Sequence, residues 1–184
     1  MAAPISAHFV AAAHGTFQIE RVTAVCGETL ASAPALSVVP SLTPALEASA
    51  IWRLRGSTGH VRYVEQAEKV ALARVTPPLG RSEAGCAVMI PIRKTDAWWE
   101  LAQDERRAIV EAQSQHIAIG LRYLPAIARR LYHARELGEP FDFVTWFEFA
   151  PEHAPGFDEL LALLRATTEW RYVDREVELR LRRA

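Results

Sequence analysis

Two neighbouring stretches decide how this chain folds. They are Ile127-Ala128-Arg129-Arg130-Leu131-Tyr132-His133 and Phe141-Asp142-Phe143-Val144-Thr145-Trp146-Phe147-Glu148, separated by a turn at Gly138-Glu139-Pro140. Each is rich in aromatic or branched residues with a period of two, so the pair reads as two consecutive strands, near 127–134 and 141–149. On the first strand Ile127, Arg129, Leu131 and His133 share one face, and Ala128, Arg130 and Tyr132 take the other. An arginine on an inward-looking strand face needs a reason: it pairs with a carboxylate or it waits for an anion.

The order of elements emerges on working outward from these strands. Before them, Asp104-Glu105 opens a long helix, acidic at its N-terminus as the dipole favours, running to about Leu124 where Pro125 stops it. Trp98–Leu101 forms a short helix, and Cys86, Val88, Ile90 and Ile92 alternate in a strand ending at Arg93-Lys94. After them, Pro155 and Gly156 precede a helix with Phe157, Leu160, Leu161 and Leu164 at core spacing. A last strand follows at 171–182, with Val173, Val177, Leu179 and Leu181 on one face. The order β-α-β-β-α-β predicts a ferredoxin-like plait in an α+β fold.

The first half carries a poorer version of the same pattern. Thr16-Phe17-Gln18-Ile19-Glu20 alternates within one or two strands over 7–25, and Gly27 breaks the run. The segment 31–49, punctuated by Pro34, Pro40 and Pro44, holds a short strand at Leu36–Val39. Ile51–Arg55 alternates again, and 64–74 predicts a helix with Val64, Ala67, Ala71 and Leu72 on one side. Thr76-Pro77-Pro78-Leu79-Gly80 is a hard stop. It divides a shortened N-terminal unit, 1–80, from a full C-terminal unit, 81–184, and two such units can set their sheets side by side in an α+β barrel.

Bulk composition excludes several classes. With 184 residues, half of them hydrophobic, and a net charge of −1, the chain buries a real core and offers nothing to a polyanion, so nucleic acid is not expected. Cys26 and Cys86 lack metal-site spacing and read as two small buried residues. No run approaches a membrane span and no signal peptide is apparent, so a cytoplasmic protein without membrane contact is expected. The G-x-G-x-x-G, G-x-S-x-G and H-E-x-x-H signatures are absent.

Candidate chemistry narrows to a few side chains. On the expected helix Ile109, Gln113, His116 and Gly120 form one stripe, and a helix-interior glycine costs ~1 kcal/mol relative to alanine. Something flat or bulky passing close to Gly120 would account for it. Spacing alone leaves His116 either a metal or haem ligand or a satisfied, partly buried histidine. Arg129 is either the partner of Glu148 or Asp142 in an ordinary ion pair or a waiting cation. Trp98-Trp99 is either core filler or one wall of an aromatic pocket.

At these residues the sequence resembles the chlorite dismutase family of haem b proteins. The likeness covers roughly Ile51 to Arg183 and is specific at Pro91-Ile92-Arg93-Lys94, Trp98-Trp99, His116, Arg129-Arg130-Leu131-Tyr132-His133 and Phe141-Asp142-Phe143. The short chain is similar to the compact branch of that family, which implies a homodimer and a dimeric α+β barrel. The resemblance implies His116 as the haem iron ligand, Glu169 as the carboxylate on its other nitrogen, and Lys94, Trp98 and Trp99 near the haem edge. It implies Arg129 as the catalytic residue holding chlorite, which is converted to chloride and dioxygen with O–O bond formation at the iron. Coproheme decarboxylases and peroxidase-like haem proteins of the same fold are the alternative. Compact members often carry a glutamine beside the arginine, and none is matched within 64–80.

Overall fold

A computed structural model describes residues 4–59 and 63–184. Among the described residues eight strands are found. The first half holds β1 (Ser6–Ala12), β2 (Phe17–Cys26), β3 (Ala35–Val39) and β4 (Trp52–Ser57); the second holds β5 (Cys86–Lys94), β6 (Ala128–His133), β7 (Phe143–Phe149) and β8 (Val173–Arg183). They pair antiparallel around a closed barrel in the order β1-β3-β2-β8-β5-β7-β6-β4, and β4 returns to β1. Within 81–184 the last strand lies beside the first and the third beside the second, as the ferredoxin-like plait requires; β4-β1-β3-β2 repeats that order in the first half. The short helix α1 (Pro44–Ala48) and α2 (Gln66–Val75) flank β4. The second half adds α3 (Asp96–Glu100), α4 (Gln103–Arg107), α5 (His116–Leu121) and α6 (Ala154–Arg165).

Strand alternation sorts the apolar residues into two cores. Phe9, Leu36, Leu54, Met89, Tyr132 and Trp146 fill the barrel interior. Val88, Ile90 and Phe147 face outward and are covered by α6 through Phe157, Leu160, Leu161 and Leu164. Strand β5 is thus buried on both faces, which is why it reads as a nearly continuous apolar run. The barrel closes narrowly, since β4 meets β6 only at Ser57 and His133. A side chain on Gly56 would sit 2.5 Å from Cβ of Tyr132, so this seam closes because position 56 has none.

Two expectations are corrected. The helix expected over 104–124 is broken: α4 passes into a π-helical turn at Ala108–Gln113, and Gln115 is left-handed at φ 51° before α5 begins at His116. A non-glycine residue there stores about 1–3 kcal/mol of strain, and π-turns recur at functional sites. The break makes His116 the first residue of α5. The second correction concerns β8. Arg93 pairs with Arg175 but Lys94 with Val173, so Asp174 is a bulge. It moves Val173 to the helix-covered core, while Val177, Leu179 and Leu181 stay inside the barrel.

Among the described residues no helix is long and apolar enough to cross a membrane.

Candidate functional site

The second-half sheet and its helices do not close completely on one another. Between the outward face of β5, β6 and β7 and the helices α2, α5 and α6 lies a cavity of about 420 Å³, walled largely by apolar side chains such as Ile90, Val110, Ile127, Phe147 and Leu161. That size suits an organic ligand, and apolar walls with a few placed polar groups are the usual design of such sites. His116, Glu169, Lys94, Trp98 and Arg129 all line it, as does Gly120. Outside its own helix, a methyl group on Gly120 would meet no atom of the described residues within 4 Å.

One wall of the cavity is a polar relay with every member bonded. His116 Nδ1 lies 2.6 Å from Glu169 Oε2, and Lys94 Nζ donates to Glu169 Oε1 at 2.9 Å. The Glu169 backbone N–H donates to Ser114 Oγ at 3.0 Å, so the π-turn helix and the turn carrying Glu169 are tied directly. Glu111 Oε2 accepts from Ile117 N at 2.9 Å, which satisfies a donor at the start of α5. Lys94 and Glu169 are both buried. Burial pushes the Glu169 carboxyl up, but the charges and hydrogen bonds of His116 and Lys94 outweigh it and hold the pKa down at about 2. Removing either partner of such a buried pair costs about 3–5 kcal/mol, because the other charge is left behind. When His116 is neutral, its proton sits on Nδ1 against Glu169 and the lone pair is that of Nε2.

Aromatic rings hold the ammonium in place. Lys94 Nζ lies 4.6 Å from the ring centre of Trp98 and 5.6 Å from that of Trp170. Trp98 is buried, and its Nε1 has no hydrogen-bond partner among the described residues. Trp99 departs from its neighbour. It stacks on Phe143 at 6.1 Å, its Nε1 donates to Asp142 Oδ2 at 3.3 Å, and it is not among the residues lining the cavity.

Arg129 supplies the contrast. It enters the cavity from β6 on the face shared by Ile127, Leu131 and His133. The ion pair with Glu148 or Asp142 is not formed: Glu148 bonds Trp146 Nε1, Gly80 N and Arg183, and Asp142 bonds Lys94 N, Trp99 and Arg135. Among the described residues Arg129 makes no salt bridge or hydrogen bond. Burial pulls its pKa below the usual arginine value, opposed by the charge of Glu169; a guanidinium still keeps its proton. From the 64–80 region the lining residues are Val64, Leu72 and Thr76, with no glutamine, and the Thr76 hydroxyl is spent on Leu72 O at 2.7 Å.

Sequence reasoning passed over Trp170, Ser114 and Tyr63. Trp170 follows Glu169 in the short 3₁₀ turn Thr168–Tyr172, where neither strand nor helix period marks it. Its ring stacks beside His116 with centres 6.4 Å apart and planes 21° apart. Tyr63 meets Trp98 edge-on at 5.9 Å.

The donor set points away from a bare metal ion, since no group of three or more His, Cys, Asp or Glu among the described residues is placed to hold one. One imidazole with a free Nε2 in an apolar cavity suits a metal that arrives within its own macrocycle. The open space at Gly120 and the unpartnered Nε1 of Trp98 fit a flat group with polar edges.

Comparison with known proteins gives a family. The profile of the family described as chlorite dismutase matches residues 36–182. A curated chlorite dismutase from Ideonella dechloratans is 33% identical over 86 residues, 47% of this chain and 28% of that protein's length. A dimeric chlorite dismutase from Nitrobacter winogradskyi is 56% identical, with a TM-score of 0.91 over 97% of this chain and 99% of its own. The chlorite dismutase of Candidatus Nitrospira defluvii in complex with imidazole, 19% identical with a TM-score of 0.65 over 96% of this chain and 90% of its own, shares the fold.

Proposed function

The chain belongs to the chlorite dismutase family, and from that premise we propose that it is a haem b enzyme converting chlorite to chloride and dioxygen. The observation that carries the reading is Arg129, a half-buried cation with no salt bridge or hydrogen bond among the described residues, in the same apolar cavity as a histidine whose Nδ1 is engaged by Glu169. A coproheme decarboxylase does not call for a fixed distal cation of this kind.

Haem b bound in the cavity would supply the redox-active iron at which chlorite is cleaved and the O–O bond is made. His116 Nε2 would hold it, with Gly120 giving room for the ring and Lys94 and Trp98 lying near its edge. Glu169 accepts the Nδ1 proton and so makes His116 a stronger donor. Lys94 in turn fixes the carboxylate and keeps it ionised. Arg129 draws a small anion into a low-dielectric cavity, where its charge acts far more strongly than in water. Because the guanidinium does not give up its proton, it binds the anion without acidifying it. The same charge would hold chlorine-bearing anions inside the cavity, which would protect the protein from a leaking oxidant.

The same reading makes the enzyme a homodimer, as its Nitrobacter relative is described to be. A cytoplasmic site suits its two free cysteines, Cys26, which is exposed rather than buried as expected, and the half-buried Cys86. The test is oxygen release on adding chlorite to haem-loaded protein. Rapid release is expected. A protein with a full Soret band that releases none, yet decarboxylates iron-coproporphyrin with peroxide, would overturn the reading.

A further inference from the structure

Among the described residues no carboxylate is more deeply buried than Glu176, and the function proposed above does not use it. A buried ionised carboxylate is tolerated only when donors surround it. Here Arg165, the last residue of α6, reaches Oε1 through Nε at 3.0 Å and Nη2 at 2.6 Å, and Trp170 Nε1 donates to Oε2 at 2.8 Å. The indole held this way is the one that stacks beside His116, and Lys94 Nζ lies over the same ring. Trp170 also adjoins Glu169 in one turn. That turn is therefore fixed at its outer end by Glu176 and Arg165 and at its inner end by Ser114.

We infer that Trp170 is a positioning residue for His116, its indole clamping one side of the imidazole while Glu176 and Arg165 hold the indole. The Glu169 hydrogen bond fixes the direction of Nδ1 but leaves the ring free to twist about that bond. A flat ring alongside removes the twist, so that Nε2 points one way only. This rests on reading His116 as the ligand of the iron. A staple that only joined α6 to β8 would hold Trp170 equally well without affecting His116.

The experiment uses the cofactor-free protein and follows the His116 Nδ1 proton by NMR. In Trp170→Ala its exchange with water should speed up at least tenfold. Trp170→Phe, which keeps a ring, should stay within about twofold of the parent, and Glu176→Gln should fall between. Unchanged exchange in Trp170→Ala overturns the clamp. So does an equal acceleration of backbone amides across α6 and β8, which would mark general loosening. In the haem-loaded protein Trp170→Ala should raise the haem dissociation rate at least fivefold, with Trp170→Phe restoring it. A His116 response in the cofactor-free protein, together with failure to take up haem, would sustain the clamp and sink the proposed function.

Discussion

The two polar features of the cavity are built on opposite principles. At His116 each polar group has its partner: imidazole to Glu169, Glu169 to Lys94 and Ser114, Lys94 between two indoles. At Arg129 a full charge stands among Ile127, Leu131 and Phe147 with no such partner among the described residues. The first arrangement is complete in the chain itself and contributes to its stability. The second costs stability until an anion arrives. A group that must hold a cofactor in one pose is locked in advance, whereas a group that must capture and retain a small anion keeps its bonding capacity unspent.

The largest break in that contrast is His116→Ala. Its bonded wall loses the one imidazole able to hold iron, and a haem titration followed at the Soret band should show affinity lowered by more than ~100-fold. Arg129→Ala strikes the other side. Chlorite turnover, read as oxygen release, should fall about 10²-fold and die early, while haem uptake stays intact. Removing an uncompensated charge should also leave the cofactor-free fold as stable or more so in urea. A clear loss of stability in Arg129→Ala would erase the distinction between the two features.

Glu169 sharpens the comparison through pH. Its folded pKa of about 2 lies below the ordinary 4.5, so its contribution is complete above about pH 4.5 and is lost as pH falls toward 2. Linkage makes this about 3 kcal/mol. Glu169→Gln should flatten that part of the stability curve, weaken haem about 10–100-fold and raise the potential of the bound iron. An unchanged potential would rule out its role on the imidazole. The smallest effect is that of Gly120→Ala. The helix should gain up to ~1 kcal/mol in the cofactor-free protein, because the new methyl meets no described residue outside its own helix, yet haem affinity should drop. Improved stability with unchanged haem affinity would mean that nothing passes close to position 120.

Much of the architecture was legible because burial has a period. Strands β5, β6 and β7 appear where alternation places them, and the Phe157, Leu160, Leu161 and Leu164 stripe is buried as read. Ile127, Arg129, Leu131 and His133 all line the cavity, though Arg130, expected on the other face, lines it too. Legibility failed where a single residue changes the count. The π-turn before His116 broke a helix whose composition promises continuity, and the Asp174 bulge moved Val173 to another core. Trp170 escaped notice because a short 3₁₀ turn has no period to read.

The sequence by itself determined the order of strands and helices, the faces they bury, and the family likeness at His116, Arg129 and Trp98, since these depend on neighbours along the chain. Only the tertiary structure decided that Lys94 meets Glu169, that Arg129 makes no bond among the described residues, and that Trp170 flanks the imidazole. Those are contacts between residues tens of positions apart. No local preference encodes them, because they arise only when the barrel closes and its helices settle on the outer face of the sheet.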